Sequence, residues 1–200
     1  MRGEQFEALT HSRTLIAVGL GAVVATLSTF AATIFERSIL RRERERDAAV
    51  MFSEMLHALK RYLDLSHETH GRGEPFGSIT IRMLRAVRRE VDIYDRNRET
   101  LFLLRDGPLR QETHVLMARL TFSLERVLEV TEALADGASE AAHAELSASR
   151  EQAYGFLIEN AASIPAVVAK LCTLGRIKIA RLDALPGIRA ATGQAPSAAE

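Results

Sequence analysis

TLIAVGLGAVVATLSTFAATIF, residues 14–35, decides how this chain is read, because it carries no charge from end to end. A helix rises ~1.5 Å per residue, so this stretch covers about 33 Å, enough for a hydrocarbon core of about 30 Å. Its only polar side chains are hydroxyls, which bond back to their own helix in an apolar solvent. A soluble core helix of this length would keep a polar face toward water. The segment therefore reads as one N-terminal transmembrane helix. The competing reading is a cleaved signal peptide, with Thr29-Phe30-Ala31 as a loose cleavage site. The long apolar stretch and the balanced leader (Arg2 and Arg13 against Glu4 and Glu7) weigh against it.

The flanks set an orientation. Arg2 and Arg13 precede the span, whereas Arg37, Arg41, Arg42, Arg44 and Arg46 follow it closely. The positive-inside bias places the C-terminal body in the cytoplasm. The expected location is the cell membrane, of bacterial inner-membrane type, in a single pass. Within the span, Ala17, Gly21, Ala25, Ser28 and Ala32 recur at spacings of a helical face, with bulkier residues elsewhere. Such small-residue stripes permit close backbone approach, so they form the candidate packing face of an oligomer with coiled-coil-type helix pairing.

The chain divides into a short segment at 1–13, the membrane helix at 14–35, a charged juxtamembrane helix at 36–47, a bundle domain at 48–184 and a disordered tail at 185–200. Residues 36–47 alternate in charge; Arg41–Glu45 is a favourable i,i+4 pair and Arg42–Arg46 an unfavourable one. Phe52, Met55/Leu56, Leu59 and Tyr62/Leu63 then mark one apolar face, predicting a first helix that runs to about Leu65. Residues 66–77, rich in glycine, predict a loop. A second helix starts near Ser78 with Ile81, Leu84, Val87, Val91 and Tyr94 on one face, and residues 97–106 contain a short apolar turn.

Pro108 suits the first turn of a third helix, which carries Leu109, Leu116, Leu120, Leu124, Val127 and Leu134 and stops near Asp136-Gly137. Ser139 opens a fourth, with Leu146, Ala153, Phe156/Leu157 and Asn160 inward. Pro165 ends or kinks it, and helix resumes from Ala166 up to Gly175. Residues 156–174 raise a second span, but Glu159, Asn160, Pro165 and Lys170 interrupt it. The fold class is all-α: the membrane helix continues into a cytoplasmic antiparallel bundle of about four helices.

Composition excludes several functions. With 26 basic and 26 acidic residues the net charge is zero, so nucleic acid is not an expected partner. The one cysteine, Cys172, forms no internal disulfide and sits in an apolar run, as a core residue does. His67-Glu68-Thr69-His70 lacks the HExxH spacing and a third ligand, so it reads as solvated loop polarity rather than a metal site. Glu140-Ala-Ala-His143 has the form of half a di-metal signature, with no facing second copy. There is no phosphate-binding glycine loop and no nucleophile elbow. No catalytic site, cofactor or small-molecule substrate is therefore expected, and the chain does not read as an enzyme.

Arg82, Arg85 and Arg89 form a stripe on the second helix, a candidate contact for anionic lipid or an acidic partner. The bland alternative is a solvated face paired with neighbouring acids. The leading expectation is a membrane-anchored helical scaffold that binds itself or protein partners. A membrane-bound sensor or regulator comes second, and an enzyme with an unrecognised site third.

Overall fold

The computed structural model describes residues 2–137, 139–178 and 180, with side chains from residue 25 onward except Ala141. The described residues are helical, with no strand among them. Helix α1 spans Arg2–Arg72, α2 Ser78–Asn97, α3 Gly107–Ala135, α4 Glu140–Ala161 and α5 Ile164–Gly175; a 3-10 segment at Arg98–Leu103 follows α2. The chain divides into two compact units, Met1–Glu43 and Arg44–Glu200. The tail at 185–200 lies outside the described residues.

In the second unit one apolar core gathers the inward faces of the helices. Phe52, Leu56, Leu59 and Leu63 from α1 meet Leu84, Val87 and Val91 from α2, with Met117, Leu120 and Leu124 from α3. Leu157 from α4 and Ile164, Val167 and Leu171 from α5 complete it. Each helix contributes residues three or four apart, the periodicity that lets one stripe be buried while the other stays wet. Asp106 caps α3 by accepting from the backbone N–H of Leu109 at 2.9 Å, and Pro108 occupies the first turn, where a missing N–H costs nothing. The segment after α2 buries Leu101 and Leu104 while Phe102 and Leu103 face outward.

Several local expectations need correction. Helix α1 does not stop near Leu65 but runs to Arg72, so the connection to α2 is much shorter than the loop predicted at 66–77. The extra turns are held by contacts made far along the chain. Ser66 is buried with its Oγ 3.2 Å from Tyr154 Oη, and Thr69 Oγ1 lies 3.0 Å from Thr80 Oγ1. The His70 ring stacks on Tyr154 at 4.4 Å between centroids and meets Phe76 edge-on at 5.0 Å. His67 and His70 are thus helical residues beside an aromatic cluster, not loop polarity.

Glu45 does not serve as a surface partner of Arg41: it is buried, and its Oε1 accepts from the backbone N–H of Arg105 at 2.8 Å. In α4 the buried stripe is Ala153, Tyr154, Leu157 and Ala161, so Phe156 points outward instead of inward. The expected break near Pro165 is present: α4 ends at Ala161 and helix resumes at Ile164, two residues earlier than Ala166, with Pro165 in the first turn of α5.

The stretch Ala142–Gly175 is long and apolar enough to cross a membrane by length and composition. Its apolar stripe, including Leu157, Ile164 and Leu171, is packed into the core. A core helix passes the same test.

Candidate membrane segment and interaction surfaces

The first unit holds the apolar segment. Ala17 and Gly21 of the small-residue stripe lie outside the described side chains; Ala25, Ser28 and Ala32 are exposed. So are the bulky residues Leu27, Phe30, Ile34, Phe35, Ile39 and Leu40, with Phe35 at 70%. At 100° per residue these positions surround the helix rather than forming one stripe. The hydroxyls turn inward along the same stretch: Thr29 Oγ1 donates to the carbonyl of Ala25, and Thr33 Oγ1 to that of Thr29, both at 2.9 Å. A helix of this kind carries apolar carbon outward and satisfies its polar atoms internally.

On α2 the structure separates two faces. Leu84, Val87 and Val91 are buried, whereas Arg82, Arg85 and Arg89 are exposed along the opposite stripe. Those three make no ion pair among the described residues. Arg88, one residue from the stripe, behaves differently: it donates to Asp92 Oδ1 at 3.2 Å and to Glu125 Oε1 on α3 at 2.8 Å. Arg88 is the arginine that ties α2 to α3; the stripe remains open to solvent.

A second surface escaped the sequence reading. Between α3 and α4 an open groove of about 480 Å³ is lined by Arg119, Phe122, Arg126, Gln152 and Phe156, among others. Phe122 is 76% exposed and Phe156 51%. Arg126 reaches across to donate to Ser149 Oγ at 3.2 Å. Phenylalanine at helical spacing looks like core in a sequence, so only the packing reveals that these two rings stay outside it.

Among the described residues no group of three His, Cys, Asp or Glu side chains is arranged to hold a metal ion. His70 Nε2 is 3.4 Å from Glu151 Oε2 but makes no hydrogen bond, and Arg150 lies over the Phe76 ring at 3.9 Å. Burial lowers the Arg150 pKa, with Glu151 and Glu74 opposing that shift. The cluster joins the end of α1 to α4. Comparison of the chain with protein-family models, with curated proteins and with solved structures finds no match.

Proposed function

We propose that this chain is a membrane-anchored helical scaffold: a single transmembrane helix at 14–35, followed by a cytoplasmic antiparallel bundle that engages itself or other proteins. The observation that carries the reading is the exposed apolar girdle from Leu27 to Phe35. Contiguous bulky apolar surface of this kind marks a membrane or interaction site in a protein that stays soluble elsewhere. The uncharged stretch before it and the backbone-bonded threonines favour lipid as the covering phase. Arg37, Arg41, Arg42, Arg44 and Arg46 support a cytoplasmic body. The small-residue face at Ala17, Gly21, Ala25, Ser28 and Ala32 supports self-association.

The test has two parts. The full chain should remain with membranes through an alkaline carbonate wash, and a cytoplasm-active reporter fused after Glu200 should work while an export-dependent one stays silent. Release by carbonate would remove the anchor; the reverse reporter pattern would invert the topology.

A further inference from the structure

A cavity of about 500 Å³ opens where the 3-10 segment after α2 meets the start of α3. Arg98, Phe102, Arg110, Gln111 and His114 line it beside Gly107 and Pro108, and no carboxylate does. These groups are held in place. Tyr94 Oη lies 2.8 Å from His114 Nδ1, anchoring the imidazole to the core, since Tyr94 is itself buried. Burial pushes the Tyr94 phenol up, so it stays protonated and remains a hydrogen-bonding group at neutral pH. The other ring nitrogen, His114 Nε2, faces Arg98 Nη2 at 3.4 Å, a long contact between groups that can both donate.

Arg110 is positioned as well. Its Nη1 donates to the carbonyl of Leu104 at 3.2 Å, and its guanidinium carbon sits 5.6 Å from the centre of the Phe102 ring. That arrangement leaves further N–H groups of the planar fork for a ligand. Phe102 is exposed on the same rim and offers an apolar face. The first turn of α3 lies beside the cavity, its N-terminus capped by Asp106, so the positive charge on offer comes from the two arginines.

From this convergence we infer that the cavity is a binding site for an organic phosphate monoester, its anionic group held between Arg98, His114 and Arg110 and its organic part resting on Phe102. The inference stands independently of membrane anchoring. The same headgroup chemistry occurs on a soluble phosphate ester and on a phosphatidic-acid-type lipid.

Calorimetric titration of the purified full chain at low salt tests it, with phenyl phosphate, inorganic phosphate, phenol and the short-chain soluble lipid dihexanoyl phosphatidic acid as probes. Saturable binding of phenyl phosphate is expected, with inorganic phosphate weaker and phenol silent. Arg98→Gln and Arg110→Gln should each weaken binding by about tenfold or more, the size of a lost charge-assisted bond. Arg96→Gln, a neighbouring charge outside the cavity, should leave it unchanged. Phe102→Ala should weaken phenyl phosphate while sparing inorganic phosphate. Tighter binding of the lipid than of phenyl phosphate assigns a lipid source, and the opposite order a soluble one; both support the site. Absence of saturable phenyl phosphate binding overturns the inference, as does an equal loss in Arg96→Gln. Should Arg110→Gln fail to fold, the exposed Arg98 decides the matter alone.

Discussion

Cys172 and Glu90 show how burial acts on single groups. Cys172 is almost fully enclosed, and desolvation raises its thiol pKa against a weaker lowering by a hydrogen bond from Ser53. The thiolate is the reactive form, so this side chain should be inert until the bundle opens. Labelling by a bulky thiol reagent should run on the order of a hundredfold slower in buffer than in urea. Equal rates would mean that the α5 face is not packed as described. Glu90 is half-buried, and desolvation raises its carboxyl pKa, with Arg89 acting in the opposite direction. The folded state therefore holds the proton more tightly than the unfolded chain. That contribution to stability is fully present below the ordinary carboxylate range of about 4.3 and is lost as pH rises through the folded value. Glu90→Gln should raise the melting temperature at pH 7, with the gain shrinking as the comparison is moved to pH 4. A gain that grows toward acid would have the wrong sign.

At the scale of elements, the end of α5 separates two roles that one glycine seemed to fill. Gly175 looks like a helix stop, yet the residue with left-handed backbone is Arg176, at φ 56 and ψ 38. Its N–H donates to the carbonyl of Thr173, and the Ile177 N–H to that of Cys172, closing the helix in a Schellman arrangement. Gly175 serves packing instead: a Cβ there would stand 3.0 Å from Val50 Cγ2 and 3.4 Å from Val50 N on α1. Arg176→Gly should stabilise the protein by about 1 kcal/mol through relief of the left-handed penalty, partly offset by unfolded-state entropy. Gly175→Val should cost about 1–3 kcal/mol as overpacking forces α5 from α1. Urea denaturation of both variants separates the roles; two changes of the same sign would show that one of these two assignments is mistaken.

For the whole molecule, the predictions concern lipid and self-association. Changing Arg82, Arg85 and Arg89 together to Gln should leave helix content intact, since all three are exposed. Binding of the protein's basic surface to anionic vesicles should fall by roughly 1 kcal/mol per arginine near the membrane. Vesicle affinity equal to that of the parent would assign the stripe to solvent alone. In the proposed membrane helix, Gly21→Ile should abolish dimerisation in an in-membrane assay on residues 10–40, because the bulkier side chain holds two backbones apart. Leu20→Ile is the matched control. If Gly21→Ile dimerises normally, any oligomer forms through the bundle.

Read without coordinates, the chain determines its helical class, the uncharged membrane-length segment and most helix starts. Charge, periodicity and proline act locally, and Pro108 and Asp106 carry their meaning within one turn. The inward faces of α2 and α3 were legible for the same reason, as was the exposure of the Arg82–Arg85–Arg89 stripe. Tertiary structure decided the rest. Glycines at 71 and 73 argue for a loop, but Tyr154 and Thr80 hold α1 helical to Arg72. Periodicity places Phe156 beside Leu157 and does not say which of two adjacent residues faces a neighbour. The cavity around His114 was invisible because its residues share no motif: Tyr94, Arg98, Arg110 and His114 meet only when α2 folds back against α3. A sequence specifies which face of a helix is apolar, whereas the identity of what lies against that face is set by packing between segments far apart in the chain.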